Sequence, residues 1–160
     1  MIKACRVDDR LIHGQVQTQW IAEYNINRII IIDDAVAKDT ITLQILKIAK
    51  PNNVDLVVCD TERAMGLIEK DAKQANARTF VIFKTITTAN VMMNKGLKIT
   101  ELIVGPTSSK KDAVQMQKNT YFTQEEIDAA KNLLSGGVDV EFQLLPSEPK
   151  VSLKKVLEKN

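Results

Sequence analysis

The sequence predicts an α/β protein with an open, mostly parallel sheet and helices on both of its faces. Short β-branched runs alternate with windows of helical periodicity, and such alternation favours a parallel sheet. The strand-like runs are apolar throughout, as expected of strands that are covered on both faces. At 160 residues the chain is expected to form one domain over residues 1–160.

The predicted strands are apolar runs, in chain order Ile2–Arg6, Arg28–Asp33, Val54–Asp60, Arg78–Phe83, Ile99–Val104 and Val138–Leu145. None approaches the roughly 20 apolar residues that are needed to cross a bilayer. The first ten residues also lack the apolar core of a signal peptide. The expected compartment is therefore the cytoplasm.

Helical windows separate these strands. Apolar residues share one helical face in the first two windows, at Ile12, Val16 and Trp20 and at Ile41, Ile45 and Ile48. The second helix has to end before Pro51, because the residue before a proline avoids the helical conformation. Asp60 or Thr61 is expected to cap the third, which reaches about Ala75.

Three further helices are predicted towards the C-terminus. A short one near Ala89–Asn94 ends at Gly96, a residue type that is common after the last helical turn. Thr123-Gln124-Glu125-Glu126 has the spacing of a capping box and begins a helix that ends at Gly136-Gly137. The last helix is expected from about Val151 to Glu158.

In open α/β sheets the working site lies at the carboxyl ends of the strands. The loops expected there are Val7–Gly14, Asp34–Lys38, Lys84–Thr88 and Gly105–Lys118. The first loop is the most informative, because the stretch from Arg6 to Val16 reads RVDDRLIHGQV and contains the only histidine of the chain. An ordinary connection at this point needs only about two to six residues.

His13 directly precedes Gly14 and the first predicted helix. The start of a helix presents unpaired N–H groups and a partial positive charge, which suit a phosphate. Gly14 permits close approach of the backbone. Arg10 can bind phosphate oxygens with its planar guanidinium, and Arg6 is expected to help it. The plainer alternative is a surface or capping histidine beside ordinary ion pairs.

Asp8 or Asp9 can accept a hydrogen bond from one ring nitrogen of His13, which leaves the other nitrogen as the nucleophile. The sequence does not choose between the two carboxylates, nor between the two ring nitrogens. This loop therefore predicts a phosphohistidine site with a nucleophile, an orienting carboxylate and a cationic clamp.

The stretch from Arg6 to Val16 closely resembles the signature R-[IV]-D-[DE]-R-L-[IV]-H-G-Q-V. That signature belongs to the IIB components of the mannose/fructose/sorbose family of the bacterial phosphoenolpyruvate-dependent sugar phosphotransferase system (PTS). The resemblance extends along the chain to Gly137-Val138 and to the PSEPKVSL segment that begins at Pro146.

This resemblance implies a mostly parallel sheet of about seven strands and a protein-Nπ-phosphohistidine–sugar phosphotransferase component. His13 is expected to accept a phosphoryl group from a phosphorylated IIA component. It then passes the group to a sugar that enters through the IIC and IID membrane subunits, with which the protein associates peripherally. The family uses no metal and no nucleotide cofactor at this step.

The expected roles follow from the same resemblance and from the chemistry of phosphate. The backbone N–H groups of Gly14 and Gln15 are expected to receive phosphoryl oxygens at the start of the helix. Hydroxyl groups in the later loops are secondary candidates, at Thr85, Thr107 and Ser108. Lys110 and Lys111 are expected either to border the IIA interface or to be solvated loop lysines.

Two segments bear on substrate and fit. Lys84-Thr85 is similar to the Lys-Thr of amino-sugar members such as those for N-acetylgalactosamine. The expected sugar is therefore an amino sugar of that kind, or mannose, fructose or sorbose. After the fifth strand many members read Val-Gly-Gly-Met or Val-Gly-Asn-Met, whereas this chain keeps Gly105 and continues Pro106-Thr107-Ser108.

Other classes fit the sequence less well. A net charge of +2 and 4% aromatic residues do not favour nucleic acid as a partner. Cys5 and Cys59 are expected to be reduced and buried, and no CxxC pair suggests zinc. Nucleotide-binding glycine motifs are missing. The alternative function is a receiver-like signalling domain that is phosphorylated on Asp60, with Asp8 and Asp9 holding Mg²⁺.

Overall fold

The computed structural model describes residues 1–159, except for the side chains of residues 15 and 16. The first half of the chain forms β1 (Ile2–Val7), α1 (Gly14–Glu23), β2 (Arg28–Ile32), α2 (Asp34–Lys38), α3 (Thr40–Ala49), β3 (Asp55–Cys59), α4 (Thr61–Ala72) and β4 (Thr79–Phe83). The second half forms α5 (Ile86–Asn94), β5 (Glu101–Val104), β6 (Val114–Gln117), β7 (Thr120–Phe122), α6 (Gln124–Ser135), β8 (Asp139–Phe142), β9 (Val151–Ser152) and α7 (Leu153–Glu158).

The main sheet has seven strands in the order β3-β2-β4-β1-β5-β8-β9. All neighbours pair in parallel except β8 and β9, which are antiparallel. The chain builds β2, β3 and β4 on one side of β1, and β5 and β8 on the other, so β1 lies at a topological switch point. The predicted fold class is confirmed.

Helices cover both faces of the sheet because alternate side chains of each inner strand enter different cores. Ile29 and Ile31 pack with Trp20 of α1 and Leu46 of α3. Ile30 and Ile32 enter the other core, which is closed by residues of α4, α5, α6 and α7. Burial on both faces explains why these strands are apolar throughout rather than alternating.

Helix caps agree with the sequence at several positions. Asp60 caps α4 by accepting from the Arg63 N–H at 2.8 Å. Thr123 and Glu126 form the reciprocal capping box of α6. Gly96 has φ 105° directly after the last turn of α5, a conformation that side chains disfavour.

Three expectations about elements are corrected. Asp34–Lys38, predicted as a loop, is α2, because Asp33 caps it by accepting from the Val36 N–H at 3.0 Å. Gly105–Lys118 is not a loop throughout, since it contains β6 of the β6–β7 hairpin. The last helix begins at Leu153, preceded by β9, which completes the main sheet.

The apolar face predicted for the second helix belongs to α3, and it does not enter the core. Ile41, Ile45 and Ile48 are 70%, 59% and 86% exposed, whereas Leu46 is 3% exposed. Within residues 1–159 no helix is long and apolar enough to cross a membrane, and the longest, α4 and α6, have 12 residues each.

Candidate functional site

The site forms where three neighbouring strands end. Beyond β1, the Asp8 N–H donates to the Phe83 carbonyl at 2.9 Å, so the ladder with β4 continues by one residue. Beyond β5, the Gly105 N–H donates to the Val7 carbonyl at 2.8 Å. Beyond β8, the Gln143 N–H donates to the Val104 carbonyl at 3.1 Å. These bonds hold Asp8, Gly105 and Gln143 side by side at the carboxyl edge.

The loop after β1 is held by its apolar residues and by its backbone. Leu11 has φ 60°, a conformation that is uncommon for a residue with a side chain, and its N–H donates to the Asp8 carbonyl at 3.1 Å. Leu11 and Ile12 are buried in the core beside α1. The Gln17 side-chain amide donates to the Leu11 carbonyl at 2.6 Å. The loop thus presents His13 from a fixed backbone.

His13 is the N-cap residue of α1, and its side chain makes no capping hydrogen bond. Its ring Nε2 lies 3.0 Å from Oδ2 of Asp8, which is fully buried, while the His13 side chain is 20% exposed. A carboxylate only accepts hydrogen bonds, so Nε2 carries the proton of this pair. In the neutral ring, the lone pair is then on Nδ1.

The structure distinguishes the two aspartates of the loop. Asp8 faces His13 and also accepts from the Arg10 N–H at 3.1 Å through Oδ1. Asp9 instead accepts from the Ser108 N–H at 2.9 Å through Oδ2, and so ties the first loop to the loop after β5. Asp8 is therefore the carboxylate in contact with the histidine, a choice that the sequence left open.

The two arginines also differ in position. Arg10 is 50% exposed, and its Nε lies 3.7 Å from Oδ1 of Asp8, so its guanidinium is attached at the site and still reaches solvent. Arg6 is fully buried, and it donates to the backbone carbonyls of Gln143 and Leu144 at 2.8 and 3.3 Å. Burial lowers the pKa of Arg6, while the neighbouring Asp8 opposes that shift. Arg6 thus has no exposed surface for a phosphate.

The remaining predicted residues occupy different places. Gly14 begins α1 with φ 44°, and Gln15 follows it in the first turn, with its side chain outside the described part. The Thr107 hydroxyl donates to the Tyr121 carbonyl at 2.8 Å, which fastens the loop to β7. The Thr85 hydroxyl caps α5 and accepts from the Thr88 N–H at 3.3 Å. Both hydroxyls therefore have hydrogen-bond partners within their own loops and neighbouring strands or helices.

A shallow cavity of about 300 Å³ lies beside Arg10. Its lining includes Asp9, Thr107, Ser108 and Tyr121. Ser108 is exposed at its rim, so it is the hydroxyl residue of the predicted set that remains accessible beside the site. Among the described side chains, no group of three or more His, Cys, Asp or Glu residues is placed to hold a metal.

The receiver-like alternative requires Asp60 to meet the acidic pair of the first loop. Asp60 follows β3, which β2 and β4 separate from β1. Three strand spacings of about 4.8 Å put the two ends roughly 14 Å apart. Asp60 is occupied instead as the cap of α4. The carboxylates of this alternative therefore do not form one site.

Sequence reasoning missed the surroundings of Arg6, which include Trp20 and Gly105. The Arg6 Cζ atom lies 5.0 Å from the centroid of the Trp20 ring. The Trp20 indole donates to the Leu144 carbonyl at 3.0 Å. The sequence signal for these surroundings was the arginine at the end of an otherwise apolar strand. A cation buried there requires partners around it.

Comparisons with known proteins identify the family of the chain. The sequence model of a family described as "PTS system sorbose subfamily IIB component" matches residues 2–160. The chain is 31% identical over 159 residues to the PTS system mannose-specific EIIAB component of Escherichia coli K12, covering 99% of this chain and 49% of that protein. It is 30% identical to the PTS system sorbose-specific EIIB component of Lacticaseibacillus casei, covering 93% and 90% of the two chains.

A solved structure shows the same fold. The IIBSor domain of the sorbose permease from Klebsiella pneumoniae superposes with a TM-score of 0.93 at 28% identity, covering 100% of this chain and 98% of that one. The chain spans about half the length of the E. coli mannose-specific protein and nearly the whole length of the sorbose-specific ones.

Proposed function

This chain belongs to the sorbose subfamily of PTS IIB components, a group of sugar phosphotransfer components, and we propose that it carries the transferred phosphoryl group on Nδ1 of His13. The observation that carries the proposal is the 3.0 Å contact between His13 Nε2 and Asp8 Oδ2. It supports a ring that is protonated on Nε2, with its lone pair on Nδ1.

In the proposed step, the Nδ1 lone pair attacks the phosphorus of a phosphohistidine on a IIA component. The new P–N bond forms as the donor's P–N bond breaks, and that bonding pair returns to the donor imidazole. His13 gives up no proton, because Nδ1 carries none. The phosphorylated ring keeps its Nε2–H and gains positive charge, which the Asp8 carboxylate stabilises across the hydrogen bond.

In the second step the P–Nδ1 bond that formed in the first step breaks, and the phosphoryl group leaves His13. A sugar hydroxyl oxygen attacks phosphorus, the P–Nδ1 bond breaks, and the pair returns to His13 while the hydroxyl proton is released. We propose that this sugar enters through IIC and IID subunits, which hold the protein at the cytoplasmic side of the membrane. Mannose, fructose, sorbose and an amino sugar such as N-acetylgalactosamine are the proposed candidates.

Charge around His13 supports the transfer of an anionic group. Arg10 is half exposed and lies next to Asp8, so it can contact phosphoryl oxygens as the group arrives. The first N–H groups of α1, at Gly14 and Gln15, provide further donors and the positive end of the helix dipole. Transfer of this kind depends mainly on positioning and charge stabilisation.

The test is phosphorylation of the purified protein by phosphoenolpyruvate, enzyme I, HPr and a IIA component. Because the chain has one histidine, any phosphohistidine found in this protein after it is separated from the donor proteins is assigned to His13 without mapping. We expect an acid-labile, base-stable phosphate whose phosphorus NMR shift is that of Nδ1-phosphohistidine. His13→Ala should abolish it, and Asp60→Asn should leave it unchanged.

A phosphate that survives in His13→Ala would overturn the assignment of the carrier residue. A base-labile product that requires Mg²⁺ and disappears in Asp60→Asn would instead support the receiver-like alternative. Phosphate on Nε2 of the wild-type protein would retain His13 as the carrier and reject the role of Asp8 that is proposed here.

A further inference from the structure

Arg6 is a fully buried cation whose guanidinium faces protein atoms on several sides. Two of its nitrogens donate to the carbonyls of Gln143 and Leu144, and its Nε lies 3.5 Å from Oδ2 of Asp8. This is the same Asp8 oxygen that His13 Nε2 approaches to 3.0 Å. Arg6 and His13 are therefore neighbours of one carboxylate oxygen, and only His13 is accessible from outside.

The position of the Arg6 guanidinium is fixed by α1 and by the segment that follows β8. The Arg6 Cζ atom lies over the ring of Trp20 in α1, 5.0 Å from the ring centroid. At this distance a cation is attracted to the face of an indole. The Trp20 indole donates to the Leu144 carbonyl, which also accepts from Arg6. The guanidinium is thus held between α1 and the chain that follows β8.

Gly105 gives an independent observation about the same group. A Cβ atom at this position would overlap Nη2 of Arg6, lie 3.0 Å from its Cζ and lie 3.3 Å from Oδ2 of Asp8. The backbone itself does not require glycine, since the φ of Gly105 is not in the left-handed region. Residue 105 has to lack a side chain because the Arg6–Asp8 pair occupies the space where a side chain would lie.

We infer that Arg6 and Gly105 are positioning residues for phosphoryl transfer: Gly105 leaves room for Arg6, and Arg6 holds the Asp8 carboxylate in the orientation that keeps the proton of His13 on Nε2. The inference rests on the proposed function of His13 and deepens it. Neither residue touches the phosphoryl group, because Arg6 is fully buried and Gly105 has no side chain. Both act through Asp8 on the choice of ring nitrogen.

The direct test is the tautomer of His13, read from the ring ¹⁵N shifts of protein labelled on its single histidine. In the wild type at neutral pH we expect the neutral ring to be the Nε2–H form. In Gly105→Ala we expect a mixture of both tautomers and a transfer rate from phosphorylated IIA that is roughly ten- to hundred-fold lower, as for misplacement by about 1 Å. Gly66→Ala is the matched control, because its added Cβ meets no atom within 4 Å beyond its chain neighbours and the backbone of its own helix.

A double variant shows whether Gly105 acts through Arg6. Lysine has no counterpart of Nη2, the Arg6 atom that the new Cβ would overlap, so Arg6→Lys should relieve the overlap. We expect Arg6→Lys combined with Gly105→Ala to behave no worse than Arg6→Lys alone, which is non-additivity of residues in contact. This comparison also remains possible if Gly105→Ala by itself does not fold.

A folded Gly105→Ala protein with the wild-type tautomer and the wild-type transfer rate would overturn the inference. So would strictly additive effects in the double variant. The tautomer measurement needs no phosphoryl donor, so it can fail or succeed independently of the proposed function. Loss of all phosphorylation in the wild type would reject the function of His13 and leave the positioning result standing.

Discussion

At the scale of single residues, side chains of the same type differ in their surroundings according to where they lie relative to β1. Ala4, Arg6 and Asp8 face the layer that contains α1, whereas Cys5 and Val7 enter the opposite core. Arg6 is consequently enclosed, while Arg10, beyond the end of the strand, is half exposed. We propose that the enclosed arginine orients a carboxylate and that the exposed one contacts an incoming phosphate.

Arg10→Ala tests this division at the exposed position. We expect phosphoryl transfer from IIA to fall by at least about ten-fold, since loss of one aimed donor costs roughly 3–4 kcal/mol of transition-state stabilisation. The fold should persist, because the side chain is half in solvent. The rate is measured by rapid quench of the phosphorylated protein.

Arg63→Ala is the matched control for this prediction, since it removes an exposed arginine at the start of α4, which follows β3, three strand positions away from β1 in the sheet. It should transfer at the wild-type rate. A folded Arg10→Ala protein with full transfer activity would exclude a role for that guanidinium at phosphorus.

At the scale of an element, α3 shows that periodicity does not by itself identify the buried face. Its isoleucines share one side of the helix as predicted, and that side is exposed to solvent. Leu46 packs in the core with Ile29 and Ile31 of β2. Leu46 is the buried residue of this helix, so α3 meets the core through the side opposite its isoleucines.

Alanine substitution on the two sides of α3 should give unequal losses of stability. We expect Leu46→Ala to lower the free energy of unfolding by about 2–5 kcal/mol, because it leaves a cavity in the core. Ile45→Ala should change it by about 0.5 kcal/mol or less, as is usual for an exposed site. Urea denaturation of both variants measures the difference.

Equal losses in the two variants would mean that the isoleucine side of α3 is covered in solution. Repeating the titration at several protein concentrations would then show whether a second copy covers it, because self-association makes apparent stability depend on concentration.

At the scale of the whole molecule, one of the two cores, the one closed by α4 to α7, buries both cysteines. Burial raises the pKa of the Cys5 thiol from 9.0 to about 12 and that of Cys59 to about 11. Between those values and 9.0, the folded protein keeps protons that the unfolded chain has lost. Stability therefore decreases as pH rises through this window, and the contribution of both thiols is fully present below about pH 9.

We expect the free energy of unfolding to fall between about pH 9 and pH 10.5, and to fall less steeply in Cys5→Ala than in the wild type. Cys59→Ala should show a similar difference, because the raised pKa values of both thiols lie above this range. Urea titrations across this range give the slopes. Identical slopes in wild type and Cys5→Ala would show that the Cys5 thiol does not take part in the alkaline loss.

Much of the fold follows from local pattern. Each of the six apolar runs became a strand of the main sheet, with ends shifted by a few residues. Asp60, Thr123 and Glu126 cap the helices that the sequence assigned to them. These features depend on hydrogen bonds and periodicity within a few residues, so one stretch of sequence is enough to specify them.

The sequence alone also determined the content of the site: one histidine, two arginines and two aspartates between a strand and a helix. Only the tertiary structure decided that Asp8 rather than Asp9 meets His13, that Arg6 is enclosed, and which side of α3 is exposed. Each of these depends on groups distant in the chain, as in the bond from Arg6 to the Leu144 carbonyl across 138 positions. Burial is set by which layers cover a residue, and that arrangement exists only once the strands have paired.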